Sequence, residues 1–289
     1  MDKNTEKNTE KQKKVLNFWH LGYKFLIKIC FSMANDNERI ILGLDVSTSC
    51  IGASILVDKG EGIPEMRILT HRSPKIPKAM KGIEAMFLRK MIFQKEFLMS
   101  LKDVGITDVV IEEPLLSSNN VNTIATLLKF NGMIAESVYE SLGVVPSFIS
   151  SYDARIYSFP ELVSLRKYNK RGEEYGIKHI QDAIKKDSLV LFGSYPFDVD
   201  KKQVMMDMVN TIYPDIPWLY NTKGELRKEN FDACDSLVCA LAYININRYG
   251  IERPVIGDCE VKKNEKGYHI VYHTKIWNRV FDKEMTILE

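Results

Sequence analysis

Short apolar runs and longer amphipathic stretches alternate along the chain, and their order predicts a fold. Residues 40–46 (IILGLDV) are a continuous Ile/Leu run ending at an aspartate, the pattern of a buried strand. Residues 51–57 (IGASILV) predict a second strand after a Ser/Thr turn, and 66–71 a third after the Gly-containing segment 58–64. Connections this short imply an antiparallel meander. Residues 79–102 place Met80, Ile83, Met86, Phe87, Met91, Phe97, Leu98 and Leu101 near helical spacing, with a basic outer face. Residues 108–112 (DVVIE) read as a strand, 120–142 as a helix stopped by Gly143, and 144–149 as a strand. Strands separated by helices require crossovers and parallel pairing. The expected fold is α/β: a mixed five-stranded sheet, three antiparallel strands plus two parallel, with helices on both faces.

The remainder divides less sharply. Segments 160–167 and 174–188 read as helical, as does 199–212, which Pro214 and Pro217 end. Residues 231–249 form a strongly apolar helix, 258–273 a hairpin around NEKG, and 275–283 a last short helix. Residues 1–38 are expected to be an extension, either disordered or upstream of a true start at Met33. The main domain then spans 39–250 with a basic insertion at about 158–197, and 251–289 is a C-terminal hairpin with a short helix. Within the extension, 15–33 is apolar but carries Lys24 and Lys28, so an amphipathic helix fits better than a membrane span.

Composition narrows the classes. The 289 residues are 45% apolar and 27% charged, which excludes a disordered chain, a coiled coil and a disulfide mini-protein. Five cysteines without a CxxC suggest reduced thiols in a cytoplasm-like compartment and no zinc site. The formal charge of +2 is a cancellation. Residues 71–102 hold eight basic groups against two acids, and 162–186 seven against three. These patches, not the bulk charge, suit a polyanionic partner. The candidates for phosphate contact are Lys78, Lys81, Arg89, Lys90, Arg166, Lys167, Lys170, Arg171 and Lys202. Phe87, Phe93, Phe130 and Tyr157 include candidate stacking groups, though aromatics at helical spacing usually belong to the core.

Four carboxylates stand out by position. Asp45 ends the first strand and Glu112 the fourth, while Asp232 and Asp235 lie three apart in the first turn of the last long helix. Each alone reads as a turn cap or a helix-dipole partner. Gathered together they repel, and buried like charges are costly unless cations compensate. Oxygen donors without Cys or His select Mg²⁺ or Mn²⁺. Two such ions about 3.5–4 Å apart commonly serve phosphoryl chemistry.

The segments ILGLDVSTSCIGASI, VVIEEPLLSSNNVNTIATLLKFNGMI, DKKQVMMDMV and DACDSLVCALAY occur in this order. Together they resemble the RuvC family of Holliday-junction resolvases, within the RNase H-like nuclease superfamily, over roughly residues 39–157 and 198–246. The resemblance implies an RNase H-like fold and a metal-dependent endonuclease that makes paired cuts in four-way or branched DNA as a homodimer. It implies that Asp45, Glu112, Asp232 and Asp235 are the catalytic metal ligands, that Lys201 acts at the scissile region, and that two ions bind per site. Glu113 stands at the family's Gln position, and Ser47 replaces the Gly of its D-x-G turn. The divergent motifs and added segments suit a phage or other viral source. Other readings remain open: a nuclease of other branched DNA or of RNA–DNA hybrids, an actin-like ATPase or sugar kinase whose D-x-G-T motif Asp45–Ser49 faintly resembles, and a non-catalytic junction-binding protein.

Overall fold

The computed structural model describes residues 38–114, 120–159, 162, 164–165, 192–193, 200–249 and the strand residues 259–264, 267–276 and 279–288. Strands β1 (Arg39–Val46), β2 (Ile51–Asp58) and β3 (Glu65–Arg72) are followed by helix α1 (Gly82–Glu96) and a 3-10 turn (Leu98–Leu101). Then come β4 (Asp108–Glu113), α2 (Val121–Leu142), β5 (Ser147–Ser150) and α3 (Ser151–Ser158). The short strands β6 (Ser164–Leu165) and β7 (Phe192–Gly193) precede α4 (Lys201–Ile212) and α5 (Glu229–Tyr249). Strands β8 (Cys259–Asn264), β9 (Gly267–Ile276) and β10 (Arg279–Leu288) complete the chain.

The main sheet has the order β3-β2-β1-β4-β5. The β1–β2 and β2–β3 pairs are antiparallel, and β1–β4 and β4–β5 are parallel. This is the expected mixed sheet, three antiparallel strands plus two parallel ones. Its two faces are built by strand alternation. Ile40, Leu42 and Leu44 of β1 face one way, onto Phe93 of α1 and Phe130, Ile134 and Val138 of α2. Ile41 of β1, Leu56 of β2 and Val110 of β4 face the other, onto Met205, Met206 and Val209 of α4 and Leu237, Val238 and Leu241 of α5.

Local signals set the helix ends. The Asn120 side chain caps α2 by accepting from the Asn122 and Thr123 amides, and Gly143 ends it at φ 71°. Asp200 caps α4 in the same way. Two expectations are corrected. Residues 275–283, read as a helix, lie largely in β9 and β10, which pair antiparallel from Arg279↔Ile276 outward. Within 160–167, Ser164 and Leu165 pair with Gly193 and Phe192 as strands. Helix α3 was not expected at all. Residues 1–37, and so the predicted extension and its amphipathic helix, lie outside the described residues, as does most of the insertion, the predicted 174–188 helix included.

Candidate metal centre

Strand alternation decides where the acids point. Asp45 follows Ile41 and Gly43 at two-residue steps, so it lies on the α5 side of the sheet. Glu112 follows Val110 in the same way. Leu44 and Ile111 are parallel partners, so these two acids stand side by side just beyond them. Helix α5 comes down on them because two glycines let its main chain touch the sheet. A Cβ at Gly43 would fall 2.2 Å from the Ser236 carbonyl oxygen, and one at Gly52 would fall 1.9 Å from that of Asp232.

The result is a close cluster. Asp45, Glu112 and Asp235 each offer a carboxylate oxygen within 4.8 Å of the others, and each keeps some accessible surface. Burial and mutual repulsion push all three toward the protonated form. Asp45 is raised well above its ordinary value by burial, then by Glu112, Asp235 and Asp232. Glu112 is pushed up to about 8, chiefly by burial and then by Asp235. Asp235 is raised by burial against the opposing pull of Arg155 and Lys202. Asp232 stands apart from the close trio. Burial raises it, while a hydrogen bond with Cys50 and the charges of Lys202 and His71 favour its ionised form.

This donor set fits a divalent cation. Oxygens that share a small hard ion at about 2.0–2.1 Å stand a few ångströms apart, as these do. The cluster holds no Cys or His ligand, and a cation would relieve the like-charge repulsion that the bare site carries.

The surroundings hold the trio in place. The Ser47 hydroxyl donates to the Cys50 carbonyl at 2.8 Å and accepts from the Cys50 amide at 3.1 Å, which closes the turn beyond Asp45. Ser47 thus locks this turn through its side chain. The buried Asn131 amide of α2 donates to the carbonyls of Val46 at 3.3 Å and Leu127 at 3.1 Å. Two cations act on the acids. Lys202 favours the ionised form of all four, and Arg155 that of Glu112 and Asp235. The Lys202 ammonium also lies 5.0 Å from the centre of the Phe231 ring.

The sequence-derived residues sort accordingly. The close trio contains Asp45, Glu112 and Asp235, with Asp232 beside it. Lys201 is exposed at the start of α4, and the charge of its neighbour Lys202 acts on all four acids. Lys78 and Lys81 are exposed ahead of α1. Lys90 is committed to Glu140 at 3.5 Å and Glu136 at 3.8 Å, which weakens it as a phosphate contact. The Arg89 Nε is buried without a hydrogen-bond partner. Arg166, Lys167, Lys170 and Arg171 lie outside the described residues. Of the candidate stacking aromatics, Phe93, Phe130 and Tyr157 are core and Phe87 is exposed. Arg155 was missed by sequence reasoning. Cys50, Cys234 and Cys239 are free and buried, as expected of small apolar residues.

No protein-family profile matches the chain, and no curated protein matches its sequence. Among solved structures it resembles RuvC of Thermus thermophilus, at 15% identity and a TM-score of 0.44, over 74% of this chain and 99% of that one. T. thermophilus RuvC in complex with a Holliday junction substrate is similar at 13% identity and a TM-score of 0.44, over 75% and 99%. The yeast mitochondrial Holliday junction resolvase Ydc2 follows at 11% and 0.39, over 76% and 83%. These likenesses concern the fold, and the chemistry rests on this chain's own side chains. No helix among the described residues is long and apolar enough to cross a membrane.

Proposed function

We propose that the chain is a metal-dependent, structure-selective DNA endonuclease that cuts four-way or otherwise branched junctions. The observation that carries this reading is the trio Asp45, Glu112 and Asp235, gathered within 4.8 Å where strand ends meet a helix. Asp45, Glu112, Asp235 and Asp232 would hold Mg²⁺ or Mn²⁺, two ions on the resemblance to the RuvC family. Such ions, when bound, make water a nucleophile near neutral pH and offset charge on the phosphoryl oxygens.

The chain's own groups do the rest. The carboxyls of Asp45, Glu112 and Asp235 release their protons to become ligands. Lys202 and Arg155 keep the site from repelling a phosphodiester outright. In the reaction, water adds to phosphorus, one P–O bond to a sugar breaks, and the departing oxygen takes up a proton.

A homodimer would place one site on each of two strands. Val121, Leu128 and Tyr139 support this, since all three are exposed and their spacing puts them on one face of α2. The four quoted motifs favour junctions over other nucleic acids.

The test incubates synthetic four-way junctions, forks, linear duplex and RNA–DNA hybrid with Mg²⁺ or Mn²⁺ and maps the cuts. Paired nicks in junctions are expected. Cleavage retained by purified Asp45→Asn and Glu112→Gln overturns the proposal. Preferential cutting of hybrid redirects it to the alternative substrate.

A further inference from the structure

Beside the acid cluster lies a cavity of about 620 Å³, bounded on one side by Asp232 and Lys202. Its volume falls in the range of sites that hold small organic ligands. Its lining is mixed, and its polar groups suit a phosphate. Ser49 and Ser73 are exposed and bring hydroxyls, the Ser73 one also hydrogen-bonded with the Cys50 thiol, and Lys202 and Lys228 present ammonium groups. Phe231 supplies an apolar wall over which Lys202 is held.

The two carboxylates in the lining are already engaged. Glu229 accepts from Arg227 at 2.8 Å, and Asp232 is hydrogen-bonded to the Cys50 thiol. Lys228, by contrast, makes no ion pair among the described residues and is exposed at the cavity. An ammonium group with no carboxylate partner, beside two hydroxyls, is a ready contact for a phosphate oxygen.

We infer that this cavity is a phosphate subsite, in which Lys228, Ser49 and Ser73 hold the DNA backbone one or two nucleotides from the scissile bond. The inference rests on the nuclease reading and deepens it. Asp232 and Lys202 belong both to the cavity and to the surroundings of the trio, so a strand whose phosphodiester sits on the acids has this cavity as its next station. The contact is to backbone and carries no sequence preference.

The test is phosphate interference. Junctions carrying a single neutral methylphosphonate at successive positions around the mapped cut are compared for binding and cleavage by wild type, Lys228→Ala and Lys223→Ala. Lys223 is exposed and does not line the cavity, so it controls for loss of bulk charge. Wild type should lose about tenfold in affinity at one flanking position, the scale of one charge-assisted contact. Lys228→Ala should bind every junction about tenfold more weakly, show a salt slope smaller by about one, and be indifferent to the methylphosphonate at that one position. Lys223→Ala should keep the wild-type interference pattern. Wild-type cleavage together with an unchanged pattern in Lys228→Ala, or the same change in both variants, overturns the subsite and leaves the nuclease standing. A wild type that neither binds nor cuts any of the DNAs overturns both.

Discussion

Gly52 of β2 lies directly under the main chain of Asp232, and a Cβ there would fall 1.9 Å from the Asp232 carbonyl oxygen. The start of α5, whose first two turns carry Asp232 and Asp235, is therefore seated on the sheet by the lack of a side chain. Gly52→Ala forces that helix start outward. The expected cost is about 1–3 kcal/mol of stability, the usual range for overpacking. Cleavage should fall further than stability accounts for, because Asp232 and Asp235 move away from Asp45 and Glu112. Thermal unfolding and cleavage rates measured on the same preparations check this. Gly60→Ala, in open space at a turn, should cost stability through its positive φ and spare activity.

Removing an acid should have opposite effects on stability and activity. Asp45, Glu112 and Asp235 repel one another in the metal-free protein. Glu112→Gln and Asp235→Asn relieve that repulsion, so each metal-free variant should unfold at a higher temperature than wild type. Each should lose cleavage by about three powers of ten, the scale of several kcal/mol of metal-borne stabilisation. Added Mg²⁺ should stabilise wild type and leave the variants nearly unmoved. Differential scanning calorimetry with and without chelator distinguishes these outcomes.

The pH dependence of the metal-free protein follows from the same repulsion. Glu112 has an ordinary value of 4.5 and is pushed up to about 8 in the fold, mainly by burial. Between those values the folded protein keeps a proton that the unfolded chain has released. The stability contributed by that proton is complete below about 4.5 and is lost as pH rises to about 8. Asp45 and Asp235 shift in the same direction. Chelator-treated protein should therefore unfold more readily at about pH 8 than at about pH 5, and Glu112→Gln should flatten the difference. Mg²⁺ should add more stability at the higher pH, where its ligands are already ionised.

The five strands of the main sheet, and the shared face of Asp45 and Glu112, were legible in the sequence because a strand's two-residue period leaves little freedom. Once Ile41 and Val110 are core, Asp45 and Glu112 must share a face. Arg155 was not legible, because α3 is eight residues long with few apolar positions. Its signal was the pair Ser150 and Asp153, three apart as in a capping box, with the Ser150 hydroxyl accepting from the Asp153 amide at 3.1 Å. Strand β10 was misread because RVFDKEMTIL has no clean period, and its partner β9 settles its conformation.

Helix phase distinguishes Lys202 from Lys201. Lys202 precedes the buried Met205, Met206 and Val209 by three, four and seven residues, so it continues the inward stripe of α4. Its charge accordingly acts on all four acids, while the motif resemblance singles out Lys201. Lys202→Ala should slow cleavage about ten- to a hundredfold, the scale of one charge-assisted interaction. It should also move the acidic limb of the pH–rate profile upward, because the carboxyls lose a cation that favours ionisation. Lys201→Ala should leave that limb in place. Profiles of both variants across the titration range check the assignment, and a shifted limb in Lys201→Ala alone would return the role to Lys201.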